Sequence, residues 1–300
     1  MPQFDITERY SPGARGEVWY EHWHRYHFLN RLAVGKRVLD VACGEGYGTA
    51  LLAQESLWTL GIDLSALTVA TARRKYATAA RAIFASGDCA QLPLADASID
   101  IVFSFETLEH MPQPNRFLSE VSRVLTDNGV VIVSTPNRPI YNQQGDPPNP
   151  FHTVEFDETE LRNILSVHFK AQRWFGQSLD FVSILAPHCA GANDGQTLNA
   201  TPANPALANS WLDAPKYFVC VCAKHATPIE GIKDTLSLLS DSSHFFMRDY
   251  RRVLRETADL SVERDRLKAQ IEMLSRQMDL ILSERNRALF AAADCRDPSV

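Results

Sequence analysis

Glycines and carboxylates in the first third of the chain occur at spacings suited to holding a nucleotide-like ligand. Residues 38–48 read VLDVACGEGYG, with Asp40 four residues before Gly44 and Gly46 two residues after it. Glycines let the backbone turn sharply and let a ligand lie against bare main chain. Because an acidic residue precedes the glycines, the stretch is not the dinucleotide fingerprint GxGxxG. It predicts a ligand-binding turn between a strand and a helix.

Two further carboxylates follow the next two apolar runs. Asp63 ends the second run, and Asp88 with Cys89 follows the third. In parallel sheets, a carboxylate at the end of the second strand accepts hydroxyls of a ribose, and one after the third strand can accept from an adenine amino group. Alternatively, Asp63 caps the following helix and Asp88 is a turn residue. The recurrence after three successive strands favours binding.

A third group of polar side chains comes after the fourth apolar run. Glu106, Glu109 and His110 are spaced i, i+3 and i+4, so a helical turn would place them on one face. Two carboxylates and an imidazole suit a hard divalent ion, Mg²⁺ or Mn²⁺. A metal-free role for His110 toward a substrate and a purely structural role remain open alternatives.

The elements that must position these groups are short apolar runs alternating with helical patterns, which predicts an α/β fold with a mostly parallel sheet. The predicted strands are 37–42, 57–63, 81–88, 99–105 and 130–135, and the predicted helices are 17–33, 47–55, 65–80 and 113–126. After a proline-rich loop, a helix is expected at 157–167 and strands at 171–175, 180–185 and 217–223. The polar insertion at 187–210 is either a lid or a slack connection.

Composition narrows the class of protein. The 300 residues are 45% hydrophobic and 22% charged, which indicates a globular chain with a sizeable core. A net charge of -6 argues against a nucleic-acid partner. We expect no transmembrane segment and no signal peptide, because no apolar run is long enough. Six scattered cysteines favour reduced thiols and a cytoplasmic location.

The end of the chain has a different character. No glycine follows Gly231, and apolar residues recur every seven positions. The recurring residues are Leu260, Leu267, Leu274 and Ile281, with Ile271 and Met278 at the complementary position. This pattern predicts a C-terminal coiled-coil helix, although an amphipathic helix packed on the domain is the alternative. We predict a domain at 1–225, a linker at 226–249 and a coiled coil at 250–293.

Four stretches together resemble the class I S-adenosylmethionine-dependent methyltransferases over about residues 17–170. They are VLDVACGEGYG, GIDLS, GDCAQLPLADASIDIVFSFETLEH and RVLTDNGVVIVSTPN. The resemblance implies a Rossmann-like sheet of seven strands, the last antiparallel, with helices on both faces. It assigns Gly44 and Gly46 to the methionine end of S-adenosylmethionine, Asp63 to its ribose, and Asp88 with Cys89 to its adenine. Asp40 would hold the loop, or the ammonium group of the cofactor through water.

The Glu-x-x-Glu-His stretch also resembles the metal-binding stretch of ubiquinone-pathway O-methyltransferases and of plant small-RNA 2′-O-methyltransferases. In the latter, a histidine in the loop after strand five completes the ligand set, and His152 lies in the corresponding loop here. The resemblance thus implies a metal set of Glu106, Glu109, His110 and His152. His110 and His152 are also the candidate catalytic residues, since an imidazole can take a hydroxyl proton near neutral pH.

The stretch WYEHWHRYHF and the pair STPN and NPFH resemble methyltransferases of bacterial surface-polysaccharide synthesis. This resemblance implies a sugar hydroxyl as acceptor, and a coiled coil that forms a homo-oligomer or recruits a partner protein. Two alternatives remain open. One is a small-molecule enzyme acting on a quinone-like phenol, and the other is a coiled-coil scaffold whose domain binds the cofactor without turnover. RNA as acceptor is disfavoured by the charge.

Overall fold

The computed structural model divides the chain into two compact units, residues 1–239 and residues 240–300. The residues it describes are 17–141, 149–180, 199–201, 204–208, 212, 214–233, 236–239 and 245–294. Apart from Asp180, the strand predicted at 180–185 lies outside this range, as does much of the insertion predicted at 187–210. The domain boundaries given above therefore stay a prediction.

The elements follow the predicted alternation of strands and helices. The helices are α1 (Glu17–Leu29), α2 (Tyr47–Leu52), α3 (Ala66–Lys75), α4 (Pro114–Val124), α5 (Arg138–Tyr141), α6 (Glu158–His168) and α7 (Phe245–Asp294). The strands are β1 (Arg37–Val41), β2 (Trp58–Asp63), β3 (Ala82–Ser86), β4 (Ile99–Phe105), β5 (Leu125–Pro136), β6 (Ala171–Gln177), β7 (Asn199–Thr201), β8 (Asn204–Ala208) and β9 (Tyr217–Ala223). Short 3₁₀ turns cover Asn30–Ala33, Leu108–His110 and Thr227–Ile229.

Capping residues explain where two of the helices begin. The Ser65 hydroxyl accepts from the Thr68 amide at the start of α3 (3.3 Å). At the start of α6, Asp157 and Glu160 each accept from the other's backbone N–H at 2.9 Å, which is a capping box. These caps fix the helices that follow the carboxyl ends of β2 and β5.

Seven strands form one sheet in the order β3-β2-β1-β4-β5-β9-β6, and β7 pairs with β8 in a separate two-stranded ribbon. The pairs from β3 to β5 are parallel, whereas β9 runs antiparallel to both of its neighbours. This confirms the predicted seven-stranded, mostly parallel sheet. The strand order reverses between β1 and β4, and ligands bind at the carboxyl ends of strands beside such a reversal.

The core lies on both faces of this sheet because successive strand residues point to opposite sides. On one face, Val102 belongs to an apolar cluster with Phe117 of α4 and with residues of α6. On the other face, the adjacent residue Phe103 packs in a cluster with Tyr26 and Leu29 of α1. The helices thus hold the sheet rigid beneath its carboxyl edge.

The residues described in the second unit form the helix α7, which is 50 residues long. The apolar residues that recur every seven positions are between 49% and 70% exposed along it. The long helix is therefore present, while its assembly into a coiled coil stays a prediction. Among the described residues, none of the helices combines the length and the apolar character needed to cross a membrane.

Candidate functional site

The glycine turn after β1 depends on backbone conformations that side chains rarely adopt. Gly44 has a φ of 53° and Gly46 a φ of 82°. A Cβ added to Gly46 would lie 2.5 Å from the Phe84 ring and 2.8 Å from the Cβ of Ala72, so only glycine fits there. A Cβ added to Gly44 would meet nothing within 4 Å. The backbone of Gly44 thus faces open space, as a ligand-binding turn requires.

Asp63, at the end of β2, ties this turn to the sheet. Its carboxylate accepts from the backbone N–H of Gly44 at 3.1 Å and from that of Ser65 at 2.9 Å. The side chain is buried. Ser65, and not Asp63 as the alternative predicted, is the N-cap of α3, and Asp63 orients that residue by accepting from its N–H. The role of Asp63 in ligand binding stays a prediction.

Asp40 lies beneath the turn and is fully buried. One carboxylate oxygen accepts from the Tyr26 hydroxyl at 3.0 Å and the other from the Thr49 hydroxyl at 2.6 Å. Burial raises the pKa of Asp40 to about 6, against the lowering effect of these two hydrogen bonds. Asp40 thus fastens α1 and α2 to β1, which agrees with its predicted role of holding the loop.

Asp88 and Cys89 follow β3, beside Asp63 on the neighbouring strand. The Asp88 carboxylate is exposed and accepts from the backbone N–H of Ala90 at 2.8 Å. The sulfur of Cys89 lies 3.6 Å from that of Met111. Burial raises the pKa of the Cys89 thiol to about 11, so it is a neutral group. Gly44 and Gly46 follow β1, Asp63 ends β2, and Asp88 and Cys89 follow β3, so all five lie at the carboxyl ends of three neighbouring strands. This group is here called the glycine edge (Gly44, Gly46, Asp63, Asp88 and Cys89).

A second group lies after β4 and is here called the histidine cluster (Glu109, His110 and His152). One potential ligand atom from each residue lies within 4.8 Å of the other two. Glu109 and His110 are on the 3₁₀ turn, and His152 is on the loop after α5. The carbonyl of Glu109 accepts from the backbone N–H of Thr153 at 2.8 Å and of Val154 at 3.1 Å, which holds the two segments together.

Hydrogen bonds set the orientation of both imidazoles. Nδ1 of His110 donates to the Phe151 carbonyl at 2.9 Å, and Nδ1 of His152 donates to the Glu155 carboxylate at 2.7 Å. The Asn149 amide lies 3.2 Å from Nε2 of His152 and donates to it in this arrangement. With Nδ1 as the donor, Nε2 is the acceptor atom of each ring in its neutral form, and a neutral imidazole binds a metal or takes a proton through that atom.

The Glu109 carboxylate is buried completely. One oxygen accepts from the Thr135 hydroxyl at 3.0 Å, while Oε1 has no hydrogen-bond partner among the residues that the structure describes. Burial raises the pKa of Glu109 well above its usual range, and the nearby Glu106 charge raises it further. An unpartnered buried carboxylate oxygen is costly unless a proton or a cation satisfies it.

Glu106 departs from the predicted geometry. The expected helical turn from Glu106 to His110 does not form, because the 3₁₀ turn begins at Leu108 and Glu106 has a φ of 47°. Its carboxylate instead pairs with the Arg25 guanidinium at 2.9 Å and accepts from the Ser134 hydroxyl at 2.7 Å. Glu106 thus lies beside the histidine cluster and outside the group of mutually close ligand atoms.

Arg25 is a site residue that the sequence analysis missed. It is buried on α1, donates to the Gln177 side chain at 2.5 Å and stacks over the Tyr217 ring at 4.4 Å. An arginine within an aromatic helix is the only sequence signal for such a position, and it does not identify Glu106 as the partner. Arg25 brings α1 against the ends of β4, β6 and β9.

Comparison with known proteins agrees with this geometry. Residues 39–133 match the profile of a family described as a methyltransferase domain. A probable S-adenosylmethionine-dependent methyltransferase of Mycolicibacterium smegmatis is 40% identical over 161 residues, which are 53% of this chain and 62% of that protein. Over these residues the chain is therefore similar to S-adenosylmethionine-dependent methyltransferases.

One further relative shares sequence with this chain, and one solved structure shares its fold. A ubiquinone biosynthesis O-methyltransferase of Idiomarina loihiensis is 34% identical over 108 residues, or 35% of this chain and 44% of that protein. A solved complex between the Trm112 methyltransferase activator of Haloferax volcanii and a methyltransferase shares the fold, with a TM-score of 0.50 and 20% identity. That match covers 69% of this chain and 92% of the other.

The family match covers the whole glycine edge but only Glu109 and His110 of the histidine cluster. The matched stretch 39–133 ends before His152. The chain spans 62% and 54% of the lengths of two curated relatives, which is less than two thirds in each case. The similarity therefore bears on the residues of the glycine edge and does not identify an acceptor.

Proposed function

We propose that this chain transfers a methyl group from S-adenosylmethionine to a hydroxyl group of an acceptor. The observation that carries the proposal is the glycine edge, where the open backbone of Gly44 meets the carboxylate of Asp63. In this proposal Gly44 and Gly46 face the methionine end of the cofactor and Asp63 holds its ribose. Asp88 and Cys89, on the neighbouring strand, lie at the adenine.

We propose further that the histidine cluster binds a divalent metal. The buried Oε1 of Glu109 is the kind of atom that a cation satisfies, and it lies near both imidazoles. A metal at Nε2 of His152 would replace the hydrogen bond from the Asn149 amide. One carboxylate and two imidazoles suit Mn²⁺ better than Mg²⁺, which prefers oxygen ligands. Glu106 was predicted as a fourth ligand, but its ion pair with Arg25 favours a supporting place beside the cluster.

The chemistry required is removal of one proton and displacement at one carbon. When bound, S-adenosylmethionine supplies a methyl group activated by a sulfonium, and a metal would lower the pKa of the acceptor hydroxyl. In a metal-free site, Nε2 of His110 or His152 would take that proton. Transfer would form a bond between the acceptor oxygen and the methyl carbon and would break the carbon–sulfur bond, so that the cofactor would leave as a neutral thioether. The protein contributes mainly alignment of donor and acceptor.

A sugar hydroxyl of a surface polysaccharide, or of its precursor in the cytoplasm, is the acceptor that we propose. Support comes from the aromatic helix α1 above the site and from the long helix α7, which we propose to be a coiled coil that sets oligomeric state or recruits a partner. A phenolic, quinone-like acceptor is the second candidate, because a relative of this chain is a ubiquinone biosynthesis O-methyltransferase.

Incubation with methyl-labelled S-adenosylmethionine and parallel panels of glycans and phenols tests these proposals. We expect label on glycans, and we expect Asp63→Ala to weaken cofactor binding in calorimetry at least tenfold. Label on phenols alone would support the second candidate. Cofactor binding without transfer to either panel would contradict the enzymatic proposal and support a scaffold role. Unchanged cofactor affinity in Asp63→Ala would remove the assignment of the glycine edge.

A further inference from the structure

The pattern of charges along α7 determines how that helix could pair. Residue 264 lies four positions after Leu260 and three before Leu267, and residue 271 lies four after Leu267 and three before Leu274. In a heptad, position a lies four residues after one position d and three before the next, so 264 and 271 are a positions. Position a holds Arg264, Ile271, Met278 and Arg285, and position d holds Leu260, Leu267, Leu274 and Ile281. Ile at a with Leu at d favours two parallel strands. Both arginines at position a follow directly on a glutamate, Glu263 and Glu284, at position g.

We infer that α7 pairs with the same helix of a second copy of this chain, parallel and in register. In that arrangement a residue at position a lies next to position g of the other helix. Arg264 therefore meets Glu263 of the partner subunit, and Arg285 meets Glu284 of the partner subunit. Each arginine pair repels across its layer, and two glutamates offset that repulsion. The inference rests on the proposed coiled coil and not on methyl transfer.

The same residues disfavour an antiparallel pair. In an antiparallel pair, position g of one helix lies opposite position g of the other. When the helices are aligned so that their apolar a and d residues meet, Glu263 of one helix lies opposite Glu284 of the other. Like charges would face each other at both ends, and each arginine would lie against an apolar d residue. The arginines at position a thus specify parallel orientation and a single register, as polar residues at that position do in two-stranded coils.

The exposure of the apolar side chains and the weak contacts of the charged ones agree with a helix whose apolar face is open to a partner. Among the side chains that the structure describes on α7, every apolar residue at positions a and d is exposed. Arg264 donates to residues of its own helix, at 2.9 Å to the Asp265 carboxylate and at 3.1 Å to the Ser261 hydroxyl. Glu263 likewise lies 3.6 Å from Arg266. These contacts are solvent-exposed and weak, so pairing with a partner helix can replace them.

Mass measurement by light scattering tests the inference on the full chain. We expect twice the chain mass of 33.6 kDa. The double variant Glu263→Arg/Glu284→Arg and the double variant Arg264→Glu/Arg285→Glu should each lower the mass toward that of one chain. An equimolar mixture of the two should restore the dimer, because the a and g charges are then complementary between chains. The control Glu272→Arg/Asp279→Arg changes equal charge on the outer face and should remain dimeric.

Cross-linking decides the orientation. In a background with Cys189→Ser and Cys295→Ser, single variants Leu260→Cys and Ile281→Cys should each form a disulfide between chains. The two positions are about 31 Å apart along a helix, so an antiparallel pair cannot join both. A monomeric or trimeric native chain, a monomeric control, or a mixture that stays monomeric would overturn the inference. Deleting 247–300 should leave a monomer, and none of these measurements requires an acceptor.

Discussion

The glycine edge and the histidine cluster lie at the same end of the sheet but are built in different ways. The glycine edge comes from three successive strands, and backbone conformation and backbone hydrogen bonds fix it. The histidine cluster joins a 3₁₀ turn to a loop some forty residues later, through the carbonyl of Glu109. The first should therefore respond most to changes of backbone shape, and the second to changes of side-chain charge.

The largest effect is expected from steric change in the glycine edge. Gly46→Ala should lower the free energy of unfolding by roughly 3–5 kcal/mol, because a left-handed alanine is strained and its Cβ collides with Phe84 and Ala72. Gly44→Ala has the same strain without the collision and should cost about 1 kcal/mol. Urea denaturation measures both. Equal losses would mean that the backbone, and not the close approach of Phe84, sets the requirement.

The buried carboxylate beneath the glycine edge should give a pH-dependent effect of similar size. Burial raises the folded-state pKa of Asp40 to about 6, above that of the unfolded chain. Its ionised form therefore costs stability above pH 6, and the cost disappears as the pH falls below about 4. Between pH 7 and pH 4, the wild type should gain up to about 3 kcal/mol relative to Asp40→Asn.

Denaturation of both proteins across this pH range measures the difference, and the other carboxyl groups cancel because both proteins share them. A difference that does not change with pH would show that Asp40 ionises as readily in the folded chain as in the unfolded one. The hydrogen bonds from Tyr26 and Thr49 would then offset the burial completely.

The two regions also differ in how far the sequence predicts them. The glycine edge follows from local pattern, since each group comes directly after an apolar run and parallel strands end at one edge. Asp63 was predicted either as a cap or as a ligand-binding residue; Ser65 is the cap, while the Asp63 carboxylate joins that residue to the glycine turn. Each residue of the glycine edge lies within a few positions of the strand that places it, so the spacing in the sequence is enough to predict its location.

The histidine cluster could be predicted only in part. Spacing alone suggested one helical face for Glu106, Glu109 and His110, but a positive φ at Glu106 turns that residue toward Arg25. Neither the left-handed conformation nor the burial of Arg25 on a distant helix leaves a local signal. His152 is close to Glu109 because of backbone hydrogen bonds between distant segments, which residue types do not reveal.

Charge changes should separate the cluster from its neighbour Glu106. Glu109→Gln should weaken Mn²⁺ binding at least about 100-fold, because it removes the negative charge of the buried oxygen that a cation would satisfy. Glu106→Gln should change that affinity less than about threefold, because Arg25 and Ser134 already occupy its carboxylate. Calorimetric titration with MnCl₂ measures both, with circular dichroism as the check on folding. Equal losses would restore Glu106 to the ligand set.

The smallest effect is expected from the residue behind His152. Glu155 accepts from Nδ1 of His152 at 2.7 Å, which orients the ring and directs Nε2 away from that carboxylate. Glu155→Gln keeps an acceptor but loses the charge, so Mn²⁺ binding should weaken about tenfold. Glu158→Gln, on exposed α6, is the matched control and should have no effect. If Glu155→Gln binds Mn²⁺ normally while Glu109→Gln does not, His152 is not a ligand. The metal site would then reduce to the 3₁₀ turn, and the loop that carries His152 would be left to hold the acceptor.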